Sequence, residues 1–259
     1  MDRIDVIRNE SERFAEVLAG TDPAAPCPTC PDWRAGDLLW HLTEVHLFWA
    51  GILATNARTD EDSEAVDQDK PDRPDTNIET LALRAEATAK LLAQLSALDD
   101  AEPRWSWWEA DQTVGFTRRM QTYEALMHRV DAELTAGLPL SPIDAEVAAG
   151  AVDHCVDVMW GWLPENMHYE PLTVAKFVAS DTGQTWLVEV GHWFGTGQSG
   201  KVYDVPRAVR ASDVPAEVSV TAPVEQLALW AWGRGGKVDV TGDQAGVAAV
   251  QALIAQGIQ

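Results

Sequence analysis

An acid, an imidazole and a second acid follow one another at helical spacing near the middle of the sequence. Glu124, His128 and Asp131 are four and three residues apart, so on a helix they share one strip of surface. A carboxylate and an imidazole one turn apart can bind a single metal ion. The other interpretation is a solvated Glu/His pair, and spacing alone does not decide between the two.

His41 is the second candidate for metal chemistry. It lies in an apolar face of a predicted helix over residues 35–56. Such a histidine is either a neutral core imidazole, hydrogen-bonded to a neighbour, or a ligand. His46 lies about 140° around the same helix and cannot share an ion with His41, so we expect His46 to be structural. Glu44, one turn beyond His41, is a rival ligand or a support for one.

Amphipathic helices must position these side chains. Hydrophobic periodicity predicts helices over residues 3–19, 35–56, 77–98, 113–136 and 144–162. The inner face predicted for the third consists of Ile78, Leu81, Ala85, Thr88, Leu92 and Leu95. Helices of this kind are typical of an antiparallel bundle. Residues 21–33, which are rich in proline, and the acidic residues 58–76 are predicted to be loops, the second of them mobile.

The hydrophobic period changes from helical to strand-like after Pro171. Short strands are predicted over residues 172–179, 185–190, 201–205, 216–221 and 237–241, with helices over 223–232 and 243–254. Asp181-Thr182-Gly183 has the chemistry of a hairpin turn. The sequence therefore predicts two domains, a helical bundle over residues 1–165 and a smaller α+β domain over residues 166–259.

Charge and composition exclude several classes of partner. The chain has 41 acidic and 19 basic residues, a formal charge of −22, which repels phosphate backbones and anionic lipid surfaces. It has no apolar run of the roughly 18 residues that a membrane span needs. We expect neither nucleic acid nor a membrane as a partner. The first residues lack the pattern of a secretory signal, so a cytoplasmic location is expected.

A cysteine pair and a tryptophan cluster could each have either a chemical or a structural role. Cys27-Pro28-Thr29-Cys30 has the CxxC form, but the sequence holds no second cysteine pair to complete a zinc site. We expect a structural role for Cys27 and Cys30, with a redox role as the alternative. The aromatic residues Trp105, Trp107 and Trp108 could cover a core or line a pocket.

Three segments carry a resemblance to a known family. Residues 30–33 read Cys-Pro-Asp-Trp and residues 37–42 read Asp-Leu-Leu-Trp-His-Leu; residues 124–131 read Glu-Ala-Leu-Met-His-Arg-Val-Asp; residues 227–234 read Leu-Ala-Leu-Trp-Ala-Trp-Gly-Arg. In order and spacing they resemble the mycothiol-dependent maleylpyruvate isomerase family, a branch of the DinB-like metal-binding bundles. The resemblance implies a DinB-like four-helix bundle followed by an α+β domain similar to sterol carrier protein folds.

The resemblance also implies a site. His41, Glu124 and His128 would be the ligands of a divalent metal, with zinc as the default and nickel or iron as alternatives. Asp131 would orient His128 or a solvent molecule, unless it is an exposed carboxylate. Arg234, in a glycine-flanked loop, would bind a substrate carboxylate, unless it is a surface arginine.

The implied activity is metal-assisted use of a small thiol. Mycothiol would be the cosubstrate and an electrophile, which could bear a carboxylate, the substrate of a cis-trans isomerisation like that of maleylpyruvate. One alternative is a mycothiol S-transferase that conjugates the thiol to the electrophile, and another is a non-catalytic module that binds a metal or a small molecule. The chain is expected to be a monomer or a homodimer.

Overall fold

The computed structural model describes residues 1–161, 168–196 and 200–258. Its internal contacts divide the chain into two units, Met1–Ser141 and Pro142–Gln259. The described residues form eight α-helices and a five-stranded mixed sheet, an α+β architecture. None of the helices in these ranges is long and apolar enough to cross a membrane.

The first unit is helical. Its helices are α1 (Arg3–Ala19), α2 (Ala35–Thr55), α3 (Asp60–Gln68), α4 (Asn77–Ala97) and α5 (Val114–Thr135). The four longer helices, α1, α2, α4 and α5, pack against one another. Side-chain caps fix where α1, α4 and α5 begin, because the first turn of a helix has backbone N–H groups without partners. Thr76 accepts a hydrogen bond from the Glu79 N–H at the start of α4, and Thr113 accepts one from the Phe116 N–H at the start of α5.

Helix α3 lies within the segment predicted to be a mobile loop, so that prediction was wrong. Thr59 and Asp62 form a capping box at its N-terminus, where acidic side chains also interact favourably with the helix dipole. Ser63 and Val66 are buried. Gly51 of α2 allows this packing, since a Cβ there would lie 2.6 Å from a methyl group of Val66. Helix α3 thus has two buried side chains and a capped N-terminus, in a segment whose composition indicated disorder.

The inner face of α4 differs from the predicted one. Its buried residues are Thr80, Arg84, Ala87, Leu91 and Leu95. Ile78, predicted to face inward, is 80% exposed. The helix is rotated so that Arg84 enters the interior, and most of the predicted apolar stripe is left half-buried or exposed at the edge of the packing.

The second unit begins with a helix that we predicted to be the last of the bundle. Asp144 caps α6 (Ala145–His154), which continues into one turn of π-helix, Cys155–Met159. The predicted end of this helix at Trp162 and the predicted boundary at residues 165/166 lie outside the described residues. The contacts instead divide the chain after Ser141, which assigns α6 to the same unit as the sheet.

The sheet has the strand order β3-β2-β1-β4-β5. Its strands are β1 (His168–Ala179), β2 (Thr185–Thr196), β3 (Val202–Arg210), β4 (Val218–Ala222) and β5 (Asp239–Gly242), with α7 (Val224–Ala231) before β5 and α8 (Gln244–Ala255) after it. β1 and β4 are parallel, and the other pairs are antiparallel. We had predicted that the first strand starts at Leu172, but β1 also includes residues 168–171. The register shift between Pro171 and Thr173 accommodates a residue that cannot donate a ladder hydrogen bond.

Candidate metal centre

Two helices of the first unit bring His41, Glu124 and His128 together. His41 is on α2, and the other two residues are one turn apart on α5. One ligand atom from each residue can be chosen so that all three lie within 4.8 Å of one another. The rings of His41 and His128 meet edge to face, with centroids 4.9 Å apart. The structure therefore brings together the three side chains that the resemblance implies as metal ligands.

His128 is held by a carboxylate on each side. Its Nδ1 lies 2.9 Å from Asp131 Oδ2, and its Nε2 lies 3.3 Å from Glu124 Oε2. The Asp131 side chain is completely buried, whereas that of Glu124 is 21% exposed. Asp131 is thus not the exposed carboxylate of the alternative interpretation. Its contact with Nδ1 leaves Nε2 directed towards Glu124 and fixes the plane of the ring.

The electrostatics of His128 favour a positive charge at this point. Burial by itself would lower the pKa of His128, but hydrogen bonds and charge interactions with Asp131 and Glu124 raise it to about 9. The two carboxylates therefore stabilise a cation on or between these side chains. A divalent ion bound here would compete with protons for His128.

His41 is held at the edge of this group. Its ring lies 4.6 Å from that of Trp33, centroid to centroid, and its Nδ1 lies 3.9 Å from Glu44 Oε1, which is longer than a hydrogen bond. Trp33 belongs to the Cys-Pro-Asp-Trp segment, yet we had assigned it no role.

The remaining histidine of α2 is structural, as we expected. His46 is fully buried, and its Nδ1 lies 3.1 Å from Thr88 Oγ1 and 3.3 Å from Arg84 Nη1. Burial, followed by the charge of Arg84, keeps its pKa well below the usual value. His46 is therefore a neutral core imidazole.

Arg234 belongs to the second unit and is 7% exposed. Its Nη1 donates hydrogen bonds to the backbone carbonyls of Trp232, at 2.7 Å, and Ile258. Arg234 is thus not the surface arginine of the alternative interpretation. These contacts hold the end of the chain to the loop after α7, so Arg234 has a structural role whether or not it also binds a substrate.

The cysteines and the aromatic cluster are not among the three converging side chains, although Cys27 lies near enough to Asp131 to interact with its charge. Cys27, Cys30 and Cys155 are buried free thiols, and Cys27 and Cys30 belong to an apolar cluster with residues of α1 and α2. Trp105 donates from Nε1 to Asp60 at 2.7 Å and stacks on Trp49. Trp107 packs on Phe116 and is 38% exposed. These tryptophans both cover the core and contribute to a surface pocket.

The fold and the site define a class: an α+β protein whose helical unit brings two imidazoles and a carboxylate together. The family model described as "Mycothiol maleylpyruvate isomerase N-terminal domain" matches residues 4–133. The chain therefore belongs to the mycothiol-dependent maleylpyruvate isomerase family.

Two solved structures have a similar fold. They are those of a mycothiol-dependent maleylpyruvate isomerase and of a mutant form of it. Each is 13% identical to this chain, with 95% of this chain and 94% of the other covered, and the TM-scores are 0.59 and 0.60. No curated protein sequence matches this chain significantly. At this identity the two structures establish the fold and leave the reaction to be argued from the residues.

Proposed function

We propose that this protein is a mycothiol-dependent metalloenzyme built on a DinB-like four-helix bundle, and that it catalyses a cis-trans isomerisation like that of maleylpyruvate. The observation that carries the proposal is the convergence of one ligand atom each from His41, Glu124 and His128 to within 4.8 Å. Family membership supports the thiol as cosubstrate.

The donor set fits a divalent metal. Three protein ligands, rather than four, are characteristic of metal sites that keep a coordination position for chemistry. Two nitrogens and one carboxylate oxygen suit zinc, which we take as the resident ion, and would also accept nickel or iron. When bound, such an ion lowers the pKa of a coordinating thiol so that the sulfur reacts as a thiolate at neutral pH.

The chain's own residues prepare this site. Asp131 accepts a hydrogen bond from the Nδ1–H of His128, which would leave Nε2 to bind the metal. Trp33 restrains the ring of His41. His128 is nearly fully buried, whereas Glu124 and His41 are both partly exposed, so solvent or a thiol would approach from the side of these two residues.

The proposed reaction returns the thiol unchanged. Addition of the thiolate to the activated double bond of the substrate forms a carbon–sulfur bond and moves an electron pair onto the adjoining carbonyl. Rotation about the resulting single bond follows. Elimination then breaks the carbon–sulfur bond and restores the double bond in the trans form, so no oxidant or reductant is needed.

A thiol balance tests this proposal. Purified protein loaded with zinc is incubated with mycothiol and a panel of electrophiles, including a cis-configured unsaturated dicarboxylate, and thiol and product are both quantified. We expect isomer to form without net loss of thiol. Equimolar loss of thiol with conjugate formation would identify a mycothiol S-transferase instead. No turnover of any electrophile would favour a metal or small-molecule binding module.

The assay needs matched variants to assign the activity to the site. His41→Ala should abolish turnover, because it removes one of three ligands. His192→Ala is the control, since His192 is a partly exposed histidine of β2 in the other unit. Equal turnover in the wild type and His41→Ala would contradict the proposed centre.

A further inference from the structure

Helix α4 carries an arginine in the interior of the first unit. Arg84 is 1% exposed. Its Nη1 lies 3.3 Å from the Leu42 carbonyl oxygen and 3.3 Å from His46 Nδ1. Its guanidinium carbon lies 4.8 Å from the centre of the Phe14 ring. One corner of the guanidinium is therefore fixed by α2, and one face is covered by α1.

The other edge of this guanidinium has no partner. Among the described residues, neither Nε nor Nη2 of Arg84 makes a hydrogen bond. No carboxylate in the described ranges pairs with this guanidinium, and burial lowers the pKa of Arg84 to about 9. Nε and Nη2 form the edge that binds a carboxylate through two parallel hydrogen bonds. A buried guanidinium whose Nε and Nη2 have no partner lowers the stability of the fold unless a ligand accepts hydrogen bonds from them.

A cavity of about 270 Å³ lies against this arginine, between α1 and α4. Arg84 and Ser11 line it, and the Ser11 hydroxyl is also buried without a partner among the described residues. Much of the remaining wall is apolar, with Ala15, Leu81, Ala85 and Leu92. Three of these four belong to the α4 stripe that the sequence predicted to face a core. These three residues line the cavity instead.

The mouth of the cavity sets a limit on the charge of its occupant. Arg8, which pairs with Asp5, and the exposed Glu12 both lie there. Glu12 disfavours a dianion, while the apolar wall disfavours a compact hydrated ion. A monoanion with an apolar body fits both conditions. The lining includes none of His41, Glu124 and His128, so this cavity is separate from the metal centre.

We propose that the cavity is a second ligand site, which binds a small organic monocarboxylate. Its two oxygens accept hydrogen bonds from Nε and Nη2 of Arg84, the Ser11 hydroxyl donates a third, and its apolar body lies against the α4 stripe. The volume suits a compact ligand, since sites for drug-sized molecules span about 300–1,000 Å³.

Calorimetric titration of the full chain with butyrate tests this site. Butyramide has the same shape without the charge, and inorganic phosphate has the charge without the apolar body. We expect butyrate to bind at least about tenfold more tightly than either, because the bidentate contact needs a carboxylate and the wall needs an alkyl group. No binding of butyrate, or equal binding of butyramide or phosphate, would overturn the proposal.

Two charge variants on one helix locate the contact. Arg84→Met removes the fork and should abolish butyrate binding, whereas Lys90→Met removes an exposed charge of α4 that does not line the cavity and should leave it unchanged. Arg84→Met should fold, since apolar replacement of a buried charge is often neutral or stabilising. Unchanged binding in Arg84→Met would refute the site.

A third variant keeps the arginine and fills the cavity. Ala85 is exposed at the cavity wall, so Ala85→Phe should retain the fold and lower butyrate affinity by at least about tenfold by occupying the volume of the alkyl chain. If Arg84→Met fails to fold, butyrate binding by Ala85→Phe still tests whether the ligand occupies this cavity. Undiminished binding in Ala85→Phe would place the ligand elsewhere.

Discussion

His128 Nδ1 lies 2.9 Å from Asp131 Oδ2, and both side chains are buried. This contact occupies one ring nitrogen of the histidine and leaves the other, Nε2, 3.3 Å from Glu124. The orientation of a candidate ligand is thus determined by a residue one turn further along the same helix. If the site binds a metal, removal of Asp131 should weaken binding without removing a ligand.

We predict that Asp131→Asn lowers zinc affinity by about 10- to 100-fold. The amide keeps the size of the carboxylate but loses its charge, so the imidazole becomes a weaker donor to the metal. Competition with a chromophoric chelator measures the affinity. Asp153→Asn, which neutralises a carboxylate in the other unit, is the control. Equal affinity of wild type and Asp131→Asn would show that the contact has no influence on the ion.

The metal content of ligand variants gives a direct test of the site. Protein prepared without chelators and then offered zinc should hold about one ion per chain, and His41→Ala or His128→Ala should lose most of it, because two ligands form an incomplete shell. Elemental analysis after gel filtration measures this. The His192→Ala control should retain the ion. Full retention in both ligand variants would exclude the centre.

The buried ion pair of Arg129 and Glu133 should be important for stability. Their side chains are at most 1% exposed and lie 2.9 Å apart. Glu133 also accepts hydrogen bonds from the backbone and the hydroxyl of Ser141. Arg129 keeps its ion pair with Glu10, so we expect Glu133→Gln to reduce the free energy of unfolding by about 1.5–3 kcal/mol, the loss that follows when hydrogen bonds to a charged group are weakened. Urea unfolding measures the loss, with the exposed Glu12→Gln as the control.

Glu133 should also make the free energy of unfolding depend on pH in the acidic range. Burial opposes ionisation of Glu133, but hydrogen bonds from Ser141, Arg13 and Arg129 hold its pKa below the usual value of 4.5. Its contribution to stability is therefore complete above about pH 4.5 and is lost as the pH falls through the lower pKa of the folded state. The difference in unfolding free energy between wild type and Glu133→Gln should shrink over that range. A difference that is constant down to pH 2 would contradict this.

Arg234→Ala should destabilise the protein. It removes donors to the Trp232 and Ile258 carbonyls, and hydrogen bonds from a charged group contribute about 1.5–3 kcal/mol. Lys237→Ala, an exposed neighbour, should have little effect in the same denaturation experiment. No change in the stability of Arg234→Ala would mean that these contacts do not matter.

The proposed binding of a substrate carboxylate by Arg234 can be separated from this structural role. Activity is compared at a temperature where wild type and variants are folded, with one carboxylate-bearing and one uncharged electrophile. Binding of the carboxylate predicts that Arg234→Lys loses efficiency toward the first substrate only, because lysine lacks the bidentate fork. An equal loss with both substrates would leave Arg234 with its structural role alone.

The sequence predicted the helices well because their caps and apolar spacing are local. It also placed Glu124, His128 and Asp131 on one strip, which the structure shows. The approach of His41 across two helices could not be obtained from periodicity, since it depends on how α2 packs against α5, and it came only from the resemblance.

Two features escaped prediction for a shared reason. The acidic composition around Val66 concealed the two buried side chains and the cap that fold α3. On α4, the apolar stripe indicated an inward face, yet Arg84 and Thr80 occupy it. In both cases a few particular side chains are buried that neither the composition of the segment nor its apolar periodicity identifies.

The parallel pairing of β1 with β4 affects the order in which the second unit can fold during synthesis. β1 and β2 are joined by a short turn and can form a hairpin as soon as both have emerged. The other edge of β1, with Ala175 and Phe177, pairs with Val218 and Val220, some 43 residues later in the chain. Until those residues leave the ribosome, an apolar strand edge stays open to pairing with other chains. Slow translation between β3 and β4 should therefore favour aggregation of the nascent chain, whereas slow translation after β4 should not.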